Sequence, residues 1–205
     1  MAQRYTSQVF RSFNASLILV VVILGFVSLA ASDALLSIYD ISKIKAKMEK
    51  IRKMTDTEKL ARKVYAVRQG APVSWSTAYS HIYTNYMLGN TASQNIWEPQ
   101  ANDRRGCWIQ VSTFTPQYWT SIITQGRKDL NFWITTVRIA YTLNGLNWKY
   151  VDDGAIFNAN SDRNSRVLIE FRNPVFAKTI RIYPQTWNGD YPALSFDAIY
   201  LDFPS

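Results

Sequence analysis

The sequence holds a single cysteine, Cys107, and a single histidine, His81. One cysteine excludes an intrachain disulfide, which secreted domains of this size often carry. One histidine excludes His-based zinc clusters and multi-histidine proton relays. Glycine is scarce, with 8 among 205 residues, and no Gly-rich phosphate-cradling loop is present. The sole Asn-x-Ser/Thr sequon is Asn14-Ala15-Ser16, so residues 73–205 carry no glycosylation acceptor. Cys107 precedes a predicted core strand and His81 falls in a predicted loop, so a buried inert thiol is expected and not a thiol–imidazole pair. Neighbouring Asp152 and Asp153 would point to opposite faces of a strand; they and Asp162 suit solvated turns better than convergent catalytic or calcium-binding carboxylates. No catalytic residue, cofactor site or metal site is expected, and the chain does not read as an enzyme.

The formal net charge is +8, and it sits in one segment. Residues 41–69 hold 10 basic side chains against Glu49, Asp56 and Glu58, whereas residues 70–205 hold 11 basic and 10 acidic ones. The aromatic-rich C-terminal part therefore lacks the cationic excess that contact with a phosphate backbone requires, and no nucleic-acid partner is expected.

After an N-terminal tail over residues 1–13, 21 uncharged residues lie between Arg11 and Asp33. At the rise of a helix this run is long enough to cross the ~30 Å hydrocarbon core of a bilayer. It reads as a transmembrane helix over residues 14–32; the alternative is a signal peptide, with Arg4 and Arg11 as its basic start and Ser28-Leu29-Ala30 as a cleavage site. From residue 33 to 69 a basic amphipathic helical stalk is expected, ~50 Å long if straight. Ile41, Ile44, Met48, Ile51 and Met54 recur along it at steps of three and four, so they share one face. This seam suits a partner helix from another membrane-protein subunit or packing on the chain's own domain, and the lysines suit anionic lipid. Gly70 and Pro72 end the helix.

Beyond Val73 short β-branched and aromatic runs alternate with Asn, Gly, Asp and Pro, the pattern of a β-sandwich or barrel. Strands are expected at Trp108 to Val111, Trp119 to Gln125, Trp133 to Leu143, Val167 to Phe171, Ala177 to Tyr183 and Ala193 to Asp202. Asn144-Gly145 predicts a tight hairpin in which both central residues take positive φ.

In their order and spacing these residues resemble the discoidin family, also called the coagulation factor five/eight type C domain. The resemblance runs over residues 73–203. It is carried by Trp97-Glu98-Pro99-Gln100, Trp108-Ile109-Gln110-Val111, Ile122-Ile123-Thr124-Gln125-Gly126-Arg127, Trp133-Ile134-Thr135 and Asn144-Gly145-Leu146-Asn147-Trp148. Phe157, Asn160, Asp162-Arg163-Asn164, Asn173-Pro174, Ile180-Arg181-Ile182-Tyr183-Pro184, Trp187 and Ala193-Leu194 complete it. The resemblance implies a mainly β fold: an eight-stranded antiparallel jelly-roll β-sandwich over residues 73–205 that binds lipids, glycans or proteins through loops at one end and is not an enzyme. Two departures stand out, namely the absent cysteine pair and Ser112-Thr113-Phe114 in place of the family's Asp-Leu-Gly.

Carried over by resemblance, the ligand loops hold Ile82, Tyr83, Tyr86 and Met87 on the first long loop, and Leu130 and Phe132 on the loop after Arg127. The expectation is a single-pass membrane-anchored accessory subunit making protein contacts in a large membrane complex, with the mitochondrial inner membrane as its setting. The alternative is a secreted or cell-surface module that binds glycan or anionic phospholipid after loss of a signal peptide.

Overall fold

The computed structural model describes residues 40–78 and 96–203. The chain divides into two compact units, residues 1–47 and 48–205. The expected tail (1–13) and membrane span (14–32) lie outside the described residues. Among the described residues, no helix is long and apolar enough to cross a membrane.

The expected stalk helix does not run through to residue 69. Helix α1 (Ile41–Lys53) begins at Asp40, whose carboxylate accepts the backbone N–H groups of Ser42 and Lys43 at 3.0 and 3.2 Å. It ends before Thr55, which adopts an extended backbone and N-caps a second helix, α2 (Asp56–Arg62). Thr55 Oγ1 accepts from Glu58 N at 3.3 Å while Glu58 accepts from Thr55 N at 2.8 Å, a reciprocal capping box. The chain then turns into a strand at Lys63. Of the expected seam, Ile51 is fully buried, Ile44, Met48 and Met54 are half-buried, and Ile41 is 47% exposed. The seam is therefore not one uniform stripe.

Among the described residues eight strands follow, in order β1 (Lys63–Tyr65), β2 (Val73–Trp75), β3 (Ile109–Gln125), β4 (Trp133–Thr142), β5 (Lys149–Tyr150), β6 (Ile156–Asn158), β7 (Val167–Asn188) and β8 (Ser195–Leu201). Hydrogen bonding runs β1-β8-β3-β7-β4-β5, with β2 on β3 and β6 on β4, and every pairing is antiparallel. Strands β3 and β7 are long because each joins two expected strands. The first part of β3 pairs β2 and the Thr179–Ile182 part of β7; its second part pairs β8 and the start of β7. Register shifts between Ser112 and Gln117 and between Trp119 and Ser121 bend the pair. The same two strands thus serve both layers of a sandwich.

The pleat sorts the side chains. On β7, Ile180 and Ile182 are fully buried while Arg181 and Tyr183 face outward and are half-exposed. Trp97 and Trp119 are fully buried anchors of the core. Their indole N–H groups donate to the carbonyls of Thr77 at 2.9 Å and Ala177 at 2.8 Å, so neither leaves an unpaired donor inside.

Asn144-Gly145 does not make the expected two-residue hairpin. Only Gly145 takes positive φ, at 77°, and β4 and β5 are joined by a longer loop. Asn144 Oδ1 instead accepts from the backbone of Leu146 and Asn147, both at 2.9 Å, turning the loop on side-chain bonds.

Candidate functional site

Strand directions bring four connections to one end of the sandwich: the segment after Trp97, the β3–β4 loop, the β6–β7 loop and the β7–β8 loop. Register fixes this, since Thr124 faces Val167, Gln125 faces Ser195, Trp133 faces Asn188 and Trp97 bridges to Leu194.

The β3–β4 loop is held by a charge cluster in which Glu98 and Arg127 are buried and Asp129 is exposed. Arg127 donates to Glu98 at 2.9 Å and forks onto Asp129 at 2.8 and 3.0 Å. The guanidinium keeps the Asp129 carboxyl below the usual carboxylate range, and the hydrogen bonds to Asp129 and Glu98 push Arg127 further up. Glu98 is pushed up by burial, against the pull of Arg127. Glu98 and Arg127 both belong to the motifs that carry the resemblance, yet nothing local in those motifs indicates that they meet.

The β7–β8 loop closes on the same loop from the other side. Asn188 donates its side-chain amide to the carbonyl of Asn131 at 2.7 Å. Gly189 lies at φ 88°, and a Cβ there would sit 2.1 Å from Phe132 Cδ1. Only glycine permits that approach. Phe132 is half-buried, 6.1 Å from the Tyr191 ring, and Leu130 is 40% exposed. Ile82, Tyr83, Tyr86, Met87 and His81 lie outside the described residues.

Arg104 and Tyr191 are additions that sequence reasoning missed. The Arg104 guanidinium stacks over the Tyr191 ring at 4.2 Å, and its Nε has no hydrogen-bond partner among the described residues. The signal available was slight: the pair Arg104-Arg105 beside Gly106, with no hint of an aromatic partner 87 positions later. Thr77 donates to Asp103 at 3.0 Å and so ties the strand-β2 exit to this corner. On the β6–β7 loop, Asp162 accepts from Asn164 and Ser165 at 2.6 Å each, which holds its carboxyl down. Asn160 donates to the Ser165 carbonyl at 2.7 Å.

The remaining titratable candidates are structural. Cys107 is buried, donates to the Arg104 carbonyl at 3.2 Å, and has its thiol pushed up by burial to about 12, so it is not a nucleophile at neutral pH. Asp152 and Asp153 both take positive φ, at 47° and 58°, and Asp152 accepts the backbone N–H groups of Arg172 and Asn173 at 2.8 and 3.3 Å.

Comparison with known proteins agrees with this architecture. Residues 69–197 match the family model described as the F5/8 type C domain. The chain is 39% identical to Discoidin-2 of Dictyostelium discoideum over 93 residues, covering 45% of this chain and 36% of that protein. It is 31% identical to lactadherin of Mus musculus over 107 residues, covering 50% of this chain and 23% of that protein. The solved wild-type discoidin II of Dictyostelium discoideum superposes with a TM-score of 0.62 at 30% identity, over 70% of this chain and 60% of that one. The similarity to the curated relatives thus spans about a quarter to a third of their length. Discoidin domains are generally non-catalytic modules known for binding carbohydrate or phospholipid. That record lends no support to the expected subunit of a mitochondrial membrane complex and stands closer to the glycan- or phospholipid-binding alternative. By family match, by relatives and by fold, the chain belongs to the F5/8 type C domain family, the discoidins.

Proposed function

We propose that the chain is a carbohydrate-recognition protein whose ligand end is the loop cluster around Arg104, Asp129, Leu130, Phe132 and Tyr191. The single observation that carries this reading is the cation–aromatic corner itself: a guanidinium stacked on Tyr191 at 4.2 Å, with Phe132 alongside, on loops clamped from within. A sugar needs hydrogen-bond donors and acceptors for its hydroxyls and a ring to cover its C–H face, on a frame that does not have to be ordered at binding. Arg104, Asp129 and the backbone of the β3–β4 loop supply the first; Tyr191 and Phe132 supply the second.

The phospholipid alternative draws less support from the same loops. Membrane insertion calls for several exposed apolar tips. Among the described residues of these loops only Leu130 is a large exposed apolar side chain, because Phe132 is folded against Gly189. A glycan-binding role places the protein where glycans are displayed, at the cell surface or outside the cell.

The test is retention on an array of neutral oligosaccharides, with vesicles of phosphatidylcholine and phosphatidylserine in parallel. Arg104→Ala and Tyr191→Ala are expected each to weaken glycan retention roughly tenfold or more, as loss of a positioned stacking or charge-assisted contact does. Vesicle binding without glycan retention in the wild-type chain would overturn the reading.

A further inference from the structure

A second site stands on the flank of the sandwich, away from the loop end. Between α2, the start of β1 and the β3–β7 pair lies a cleft of about 320 Å³. It exists because β7 leaves its register on β3: Trp119 faces Val175, but Ser121 already faces Glu170, so residues 171–174 bow out of the sheet. Asp152 fixes that bow by accepting the N–H groups of Arg172 and Asn173. One wall of the cavity is thus set by the backbone of β7.

Its walls are cationic. Arg52, Lys59, Lys63 and Arg172 line it, against Asp56 and Glu170. Arg52 is paired with Glu49 at 3.2 Å. Lys59, Lys63 and the Arg172 guanidinium enter no ion pair among the described residues, although two carboxylates share the cleft with them. Four cations against two carboxylates leave the lining with an excess of positive charge, and such a concavity attracts an anion. Thr120 and Ser121 complete the lining on the β3 side, while Phe171 and Pro174 give an apolar side. Three free cations from three separate elements suit a tetrahedral oxyanion, which offers acceptors in three directions.

We propose that this cleft is a binding site for a phosphate or sulfate ester, distinct from the loop end and acting independently of it. The shared chemistry is the tetrahedral anionic ester group, carried either by a sulfated or phosphorylated sugar or by a lipid headgroup.

The experiment titrates the full chain with inorganic phosphate, with a sulfated monosaccharide and with vesicles containing phosphatidic acid, following heat release and the thermal midpoint at low and high NaCl. Wild type is expected to bind phosphate and the sulfated sugar, with affinity falling as salt rises. Lys59→Gln with Arg172→Gln together are expected to lower affinity about tenfold or more, while Lys178→Gln, an exposed charge on another part of β7, leaves it unchanged. Should the double variant unfold, Arg172→Gln alone at an exposed position makes the same comparison. Vesicle binding that tracks these variants assigns the oxyanion to a lipid; binding of the sulfated sugar alone assigns it to a glycan. Absence of wild-type binding to all three probes, or equal loss in Lys178→Gln, would overturn the site. Neutral-glycan retention at the loop end is expected to survive the cleft variants, so failure of one proposal leaves the other intact.

Discussion

Two loops of the same sandwich are built on opposite principles. The β3–β4 loop, from Gly126 to Phe132, adds to its local Arg127–Asp129 and Arg127–Phe132 bonds a set of ties to residues far away in the chain: Glu98 through Arg127, Asn188 through Asn131, and Gly189 against Phe132. The β4–β5 loop, from Leu143 to Trp148, is held mainly by itself. Thr142 accepts from the backbone of Asn144 and Gly145, Asn144 from Leu146 and Asn147, and Trp148 donates to Gly145. The Arg181 guanidinium, stacked on Trp148 at 3.7 Å, adds a long-range tie. A loop made of local bonds can fold anywhere; a loop made of distant ones is correct only when the whole domain is. That difference suits the first loop to a rigid recognition site, since ligand-contacting geometry has to be held to a fraction of an ångström.

The comparison breaks first at Arg127. Arg127→Ala leaves Glu98 buried without its partner and is expected to cost about 3–5 kcal/mol, read from urea unfolding. Gly189→Ala is expected to cost about 1–3 kcal/mol, through positive φ and the collision with Phe132, and to weaken glycan retention as well. Asn144→Ala, by contrast, is expected to cost only about 0.5–1.5 kcal/mol and to leave retention unchanged. An equal effect of Asn144→Ala and Gly189→Ala on retention would erase the distinction between the two loops.

A pH series sharpens it with the smallest expected effect. Glu98 and Asp197 are pushed up by burial from 4.5 and 3.8, so their ionisation opposes folding and stability falls as pH rises through their raised values. Asp129 and Asp162 are held below 3.8. Their contribution is complete above that value and is lost as pH falls through their lowered ones. Urea midpoints of wild type minus those of Glu98→Gln are expected to fall as pH rises above 4.5. A flat difference would mean that Glu98 does not sense its burial.

Much of the β architecture was legible from residues alone. Ile180 and Ile182 alternate with polar neighbours and are buried as alternation requires, whereas Trp119 and Ile122, three positions apart, are both buried because the register shifts between Trp119 and Ser121. The stalk misled because two signals competed. The period-3.6 spacing from Ile41 to Met54 favoured one helix, while Thr55 and Glu58 form a local capping box that restarts the helix, and Lys63–Tyr65 finds a strand partner in β8. The strand pairing prevails because it satisfies backbone groups on the domain edge that a solvated helix would leave to water. At the site, Leu130 and Phe132 were named from resemblance. Arg104 and Tyr191 were not, because their contact is a product of how the β7–β8 loop returns over the segment after Trp97.

By itself the sequence determined the β-rich composition, the family, the basic segment and the exclusion of an intrachain disulfide, since each depends on residue type and short-range period. Tertiary structure alone decided which loops meet, that Arg127 reaches Glu98, and that a bow in β7 opens a cationic cleft. These arise from pairing register between residues dozens of positions apart, and a one-residue slip in that register would place every one of them on the other face.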